Sequence, residues 1–199
     1  LAVSMGRPEL ALDAAAQCHA ERFSSAERLS AYAPRIGLNT GAGGRWPAKE
    51  LSVERTVELV RLLQQELDER AVFLLLGGVS ERARNAALLS ALAALQPRPH
   101  TVDTGTSNGL LEFAGLVSLC DVIVTSDSLA LQIALARGGR LVSFFAPTSA
   151  AEIELYGLGE KVVSTAPDYC SYAKDADNRS ITSSVRSLNS ARSPNAIDR

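Results

Sequence analysis

The chain has 199 residues, 46% of them hydrophobic and 21% charged, a composition typical of a folded globular protein. A formal net charge of −2 and a pI near 5.8 give no basic footprint, so we expect no nucleic-acid partner. No apolar run is long enough to cross a bilayer, and three scattered cysteines, Cys18, Cys120 and Cys170, indicate free thiols in a reducing compartment. The default expectation is a cytoplasmic protein.

Residues 1–34 predict a helical leader or a connection to another domain. The sequence from Pro8 to Ala31 is rich in alanine and charged residues, with Pro8 placed as in a helix's first turn and Ser24-Ser25 placed as a cap. Pro34 ends this region. Because the chain opens with Leu1 and has no signal-peptide pattern, we expect it to be a piece of a longer protein.

From Arg35 onwards, strand-like apolar runs alternate with helical patterns. The predicted strands are 35–39, 71–76, 100–103, 122–125, 141–145 and 161–164, and the predicted helices are 53–70, 80–95, 109–119 and 129–137. This alternation requires right-handed crossovers and a parallel sheet covered on both faces. The sequence therefore predicts an α/β, Rossmann-like doubly wound domain over residues 35–166.

Polar residues stand where the fourth predicted strand meets the following helix. Asp127 and Ser128 fall at the strand's carboxyl end and the helix's amino end, where open α/β sheets bind ligands. The unpaired N–H groups of a helix's first turn suit a phosphate, and the Asp127 carboxylate can accept hydrogen bonds from sugar hydroxyls. The alternative is that Asp127 simply caps the helix.

Glycine-rich loops follow two other predicted strands, at residues 40–49 and at Gly77-Gly78. Consecutive N–H groups in such loops can form an anion-binding nest, and Lys49 can neutralise a phosphate. Neither the G-x-G-x-x-G spacing nor the Walker spacing is present, so an ordinary surface turn is an equal alternative.

Four segments, 36–49, 72–78, 122–128 and 141–148, followed by 152–157, occur in the order seen in heptosyltransferase-like enzymes of glycosyltransferase family 9. The chain resembles that family over about residues 36–163. The resemblance implies a GT-B-type enzyme with two Rossmann-like halves facing across a cleft, of which this chain is similar to the second, donor-binding half.

The resemblance also implies partners and site residues. The partners are a nucleotide-sugar donor such as ADP-heptose, a glycan or lipopolysaccharide-type acceptor, and an N-terminal half that supplies the catalytic base, so no catalytic residue is expected in this chain. No metal and no cofactor are expected. The enzyme would be cytoplasmic, with peripheral attachment to the inner membrane as a further option. The implied donor-binding residues are Thr40, Gly41 and Lys49 at the diphosphate, Asp127 and Ser128 at the sugar or phosphates, and Glu154 at the ribose or sugar.

Departures from the family pattern limit the resemblance: Leu129 stands where a glycine is common and Gln132 where a histidine is common. The alternative function is a non-catalytic nucleotide or nucleotide-sugar binding module that lacks the acceptor half. The tail, residues 167–199, is polar, with one weak helical stretch at 181–188 and an end expected to be disordered.

Overall fold

One parallel sheet organises the chain. The computed structural model describes residues 6–44, 46–67, 70–165 and 170. Its six strands lie in the order β3-β2-β1-β4-β5-β6, and every neighbouring pair is parallel. They are β1 (Arg35–Asn39), β2 (Val72–Leu75), β3 (His100–Asp103), β4 (Val122–Ser126), β5 (Arg140–Phe145) and β6 (Gly159–Val163). The predicted α/β, Rossmann-like parallel sheet is confirmed.

Helices cover both faces of this sheet. They are α1 (Ala14–Ala26), α2 (Val53–Glu66), α3 (Arg82–Ala93), α4 (Leu110–Ser118) and α5 (Leu129–Arg137). Because side chains alternate along a strand, Val72 and Leu74 pack with the apolar residues of α4 and α5, whereas Phe73 packs with those of α2 and α3. No described helix is long and apolar enough to cross a membrane.

The leader differs in detail from its prediction. Helix α1 begins after Asp13, whose carboxylate accepts the N–H of Ala16 at 2.7 Å, and not near Pro8. Ser24-Ser25, predicted to cap a second helix, lies inside α1. Helix α1 packs against α4 at Gly115, where an added Cβ would lie 2.9 Å from the carbonyl oxygen of Ala16.

Two helices end earlier than their patterns predict. Helix α2 stops at Glu66 because Leu67 takes an extended backbone, with φ −110° and ψ 149°. Helix α3 stops at Ala93, two residues short of the predicted end. The helix predicted at 181–188 lies outside the described residues.

The strand order positions a crevice at the centre of the sheet. Strand β1 pairs with β2 on one side and with β4 on the other. The chain leaves β1 toward one edge of the sheet and returns to the opposite side at β4, so the connections after these two strands diverge. Doubly wound sheets bind ligands at such a reversal, at the carboxyl ends of the strands.

Candidate functional site

An open cleft of about 550 Å³ occupies this crevice. Its walls come from segments that follow β1, β2, β3 and β4, so all of them lie at the carboxyl edge. Lining residues include Gly41, Gly43, Lys49, Gly77, Gly78, Glu81, Leu110, Asp127, Ser128 and Leu129. The glycine-rich loops and the Asp127 segment therefore share one edge of the sheet.

An ion pair crosses the cleft between the segments after β1 and β4. The Nζ atom of Lys49 lies 2.7 Å from Oδ2 of Asp127, and it also donates to the Asp127 backbone oxygen at 3.3 Å. The hydroxyl of Thr148 donates to the same Oδ2 at 3.1 Å. The two charged side chains are 15% and 23% exposed, so the pair is shielded but open to a ligand.

The amino end of α5 lies in the same cleft as this pair, and the first turn of a helix leaves N–H groups unpaired. Ser128 is the N-cap residue, so the alternative that Asp127 caps the helix is wrong. Its hydroxyl lies 2.9 Å from that of Thr125 and accepts a hydrogen bond from Asn39 at 3.2 Å. Among the described contacts, none supplies an acceptor for the N–H groups of Leu129 and Ala130, which both line the cleft. A lysine ammonium and a positive helix end therefore converge.

Glu81 holds the loop after β1, residues 40–44, through a hydrogen bond to its backbone. The N–H of Gly43 donates to Oε1 of Glu81 at 2.8 Å, so part of the predicted anion nest already faces a carboxylate. Gly41 is buried, and its carbonyl oxygen accepts a hydrogen bond from Ser126 at 3.3 Å. This loop is held to both its neighbours, while Gly43 and Gly44 at its tip are exposed.

The family follows from comparison with known proteins. A sequence profile of glycosyltransferase family 9 (heptosyltransferase) matches residues 3–181. The chain belongs to this family. A comparison with curated protein sequences gives no significant match.

Solved structures share the fold of this family 9 chain. A family 9 glycosyltransferase from Veillonella parvula DSM 2008 has a TM-score of 0.65 and 14% identity, over 90% of this chain and 53% of that one. The ADP-heptose lps heptosyltransferase II of E. coli has a TM-score of 0.64 and 20% identity, over 95% and 56%. E. coli heptosyltransferase WaaC with ADP-2-deoxy-2-fluoro heptose has a TM-score of 0.59 and 14% identity, over 87% and 48%. The family 9 chain therefore spans about half the length of these structures.

Two residues implied by the family resemblance do not line the cleft. The Thr40 side chain is buried at 1% exposure, and its hydroxyl lies 3.2 Å from that of Thr56. Glu154 is exposed in the segment after β5, where its carboxylate accepts the N–H of Tyr156 at 2.8 Å. Contact of either residue with a donor stays a prediction. The cleft brings together Gly41, Lys49, Asp127 and Ser128.

Three residues that line the cleft or contact its lining, Asn39, Thr148 and Glu81, were not predicted from the sequence. Asn39 pairs in register with Thr125, and this pairing brings its amide to Ser128. Thr148 follows β5, the strand beside β4, and so reaches Asp127. Glu81 stands three residues after Gly78, a spacing that indicates a helix cap but not the contact with Gly43.

Arg84 of α3 stabilises the segment that leads from the cleft to α2. Its guanidinium donates to the carbonyl oxygen of Leu51 and to the hydroxyl of Thr56. Burial lowers the pKa of Arg84 from its ordinary value, while the neighbouring carboxylates Glu50 and Glu81 act in the opposite direction. The segment before α2 is thereby tied to α3.

The described part of the chain offers no ready metal site, since no three His, Cys, Asp or Glu side chains are grouped to hold an ion.

A second hollow, of about 510 Å³, lies at the amino edge of the sheet. There the rings of Tyr32 and His100 stack with centroids 4.1 Å apart. None of the predicted donor-binding residues lines it.

Proposed function

We propose that this chain is the donor-binding half of a GT-B-type, heptosyltransferase-like glycosyltransferase. In this proposal the enzyme transfers a sugar from a nucleotide-sugar to a glycan or lipopolysaccharide-type acceptor. The observation that carries it is the Lys49–Asp127 pair, held at the point where the strand order reverses and beside the amino end of α5. The E. coli enzyme with the fluorinated ADP-heptose supports a nucleotide-sugar as ligand.

The proposed chemistry assigns separate tasks to the two charged groups. As the glycosidic bond to the donor breaks, the leaving nucleoside diphosphate gains negative charge. The ammonium of Lys49 has three N–H donors, and its two described hydrogen bonds both go to Asp127, so one donor remains for a phosphate oxygen. The N–H groups of Leu129 and Ala130 add to this stabilisation without a metal. The carboxylate of Asp127 accepts hydrogen bonds from sugar hydroxyls.

The acceptor requires a base that we place in an N-terminal half. The described titratable side chains lining the cleft are Lys49, Glu81 and Asp127, and each is already engaged. Exposed large apolar side chains also mark this edge: Val79, Leu110, Leu129 and Tyr156 all follow carboxyl ends of strands. A second half packed over this edge would cover them.

We further propose a cytoplasmic location, with the inner-membrane surface as an option, because Cys18 and Cys120 are free thiols.

A non-catalytic nucleotide-binding module is the second candidate, and Leu129 favours it. Its side chain is 59% exposed at the cleft, where the family pattern often has glycine. A leucine at this position narrows the approach to the N–H groups of α5. Both candidates bind nucleotide, but only the first would transfer sugar when an acceptor half is supplied.

Calorimetry with ADP, UDP and ADP-2-deoxy-2-fluoro heptose in the presence of EDTA tests the proposal. We expect the chain to bind at least one of them without a divalent metal. Lys49→Ala should weaken binding roughly ten- to a hundred-fold, because a charge-assisted hydrogen bond to phosphate contributes roughly 1.5–3 kcal/mol.

Arg140→Ala is the matched control, since it removes the same charge at the exposed amino end of β5. It should leave affinity within about two-fold, as long-range charge effects are screened by salt. Equal losses in the two variants would mean that Lys49 acts only through net charge. No binding of any of the three ligands would reject the donor site.

A further inference from the structure

A buried carboxylate lies beneath the cleft and joins two of its loops. Glu81 is 6% exposed, and its Oε1 accepts the N–H of Gly43 while its Oε2 accepts the N–H of Gly78, both at 2.8 Å. The hydroxyl of Ser80 adds a contact of 3.1 Å. The ion pairs among described residues do not include Glu81. A buried carboxylate is costly unless it is hydrogen-bonded, so these N–H groups keep it in place.

The packing around Glu81 explains two of the glycines. A Cβ added at Gly41 would lie 2.6 Å from Cγ of Glu81, and one added at Gly77 would lie 2.8 Å from its Cβ. Neither glycine has a positive φ, so close packing, and not backbone conformation, requires the small residue here. Glu81 thus fills the space between the segments that follow β1 and β2.

We propose that Glu81 is a positioning residue: its carboxylate acts as an internal anion that holds the loop after β1, residues 40–44, against the segment after β2. The loop then presents a fixed wall to the cleft. Because the N–H of Gly43 is used by Glu81, a diphosphate is directed to the other side, toward Lys49 and the amino end of α5. This consequence for ligand binding rests on the proposed donor site, whereas the loop contact does not.

A second glutamate in the chain provides a matched control. Glu112 accepts the N–H of Gly109, three residues before it, at 2.8 Å, as Glu81 does with Gly78. Glu81 has the additional bond to Gly43, 38 positions away in sequence. Glutamine can replace glutamate in a helix-capping contact of this kind. Glu81→Gln should therefore keep the local cap and release Gly43, whereas Glu112→Gln should keep its own local cap at Gly109 and has no described contact with the loop of residues 40–44.

Amide hydrogen exchange without ligand tests the contact directly. In Glu81→Gln, the Gly43 amide should exchange roughly ten-fold faster, since loss of a charge-assisted bond frees it to open. In Glu112→Gln its rate should not change. Thermal unfolding of both variants checks that they remain folded, and Glu81→Asp, which is shorter by one methylene, provides a second folded variant with the charge retained.

ADP calorimetry on the same proteins tests the consequence. Glu81→Gln and Glu81→Asp should bind ADP about ten-fold more weakly than the parent, while Glu112→Gln should match the parent. Unchanged exchange at Gly43 would overturn the proposal, as would faster exchange with unchanged ADP affinity. If the parent itself bound no ADP or other nucleotide, the proposed function would fail, and the exchange rates would still decide whether Glu81 holds the loop.

Discussion

At the scale of single residues, Asp127 and a bound phosphate would compete for the ammonium group of Lys49. In the free cleft each charge neutralises the other at 2.7 Å, so a phosphate must share the ammonium with Asp127. Asp127→Asn keeps the shape but removes the competing charge. We expect this variant to bind ADP several-fold more tightly, because Lys49 becomes fully available, and to lose the extra affinity of a nucleotide-sugar over ADP.

The measurement for this prediction is the ratio of two affinities, for ADP and for ADP-2-deoxy-2-fluoro heptose, in the parent and in Asp127→Asn. Thr148→Val is the companion variant, since it removes the hydroxyl that also contacts Oδ2 while leaving the charge. Thr148→Val should have a smaller effect than Asp127→Asn, and it should change the affinity for ADP-2-deoxy-2-fluoro heptose but not the affinity for ADP. A fall of both affinities by one factor in Asp127→Asn would contradict separate tasks for the two groups.

Residues of the cleft differ in how far the sequence could reveal them. Lys49 and Asp127 were predicted because each follows a recognisable strand and carries a charge suited to a phosphate or a sugar. The contact between Glu81 and Gly43 was not predicted. It links residues 38 positions apart, and no local sequence pattern indicates such a contact. Thr40 shows the converse: a loop position suggests exposure, whereas packing against Thr56 buries it.

At the scale of helices and strands, local signals succeeded where they agreed with the packing. Helix α5 was predicted with its observed bounds because Ser128 precedes its first apolar residue and Gly138, at φ +74°, ends it. Helix α1 was misplaced because Pro8 and Ser24-Ser25 are acceptable start signals that the tertiary structure does not use. Its contact face depends on α4, which is about 90 residues away in sequence and invisible to any local pattern.

The contact between α1 and α4 yields a prediction about Gly115. A Cβ at this position would meet the carbonyl oxygen of Ala16 at 2.9 Å and Cβ of Ala20 at 3.2 Å, so Gly115→Val must push the helices apart. We expect the free energy of unfolding to fall by about 1–3 kcal/mol, as is usual for overpacked sites. Urea unfolding gives this value, and hydrogen exchange should show α1 opening before the sheet.

Ala15→Val is the control for this prediction, because it adds similar bulk at an exposed position of α1. Its cost should stay near the small loss in helix propensity, about half a kcal/mol. Valine forms helix more readily than glycine, so propensity cannot explain a loss at Gly115. If Gly115→Val lost no more stability than Ala15→Val, close packing of the two helices at this glycine would be ruled out as a constraint.

At the scale of the whole molecule, one ion pair joins the amino ends of the two central strands. Arg35 donates to Asp121 at 2.6 Å and 3.1 Å, and its backbone N–H donates to the same carboxylate at 2.8 Å. The hydrogen bonds that Arg35 donates hold the pKa of Asp121 below its ordinary value, and the Asp121 carboxylate that accepts them raises the pKa of Arg35 above its ordinary value. The pair therefore stabilises the fold over the whole neutral range.

The sign of the pH dependence follows from Asp121. Its folded pKa is depressed, so its stabilisation is present above the unfolded value and is lost as the pH falls through the folded one. Asp121→Asn should lower the urea midpoint at about pH 6, and the difference from the parent should shrink as the pH falls through the lowered pKa of Asp121. Partial exposure of both side chains, 31% and 38%, limits the size of the effect. Glu58 forms an exposed ion pair with Arg61, so Glu58→Gln should change neither the urea midpoint nor its dependence on pH. A constant offset between Asp121→Asn and the parent at all pH values would rule out the charge as the cause.

The chain spans about half the length of the family structures it matches, and this bears on whether it can catalyse transfer by itself. We expect the 199-residue chain to bind a nucleotide-sugar and not to transfer it. An acceptor hydroxyl needs a base within hydrogen-bond reach on the sugar face opposite the leaving diphosphate. In the donor site proposed above, Asp127 is paired with Lys49 on the diphosphate side, where it would orient the donor and would not reach the acceptor hydroxyl. Incubation with donor and a lipopolysaccharide-type acceptor should therefore give no product until a family 9 N-terminal half is added. Transfer by the chain alone that Asp127→Asn abolishes, with donor affinity unchanged, would make Asp127 the base and the chain a complete enzyme.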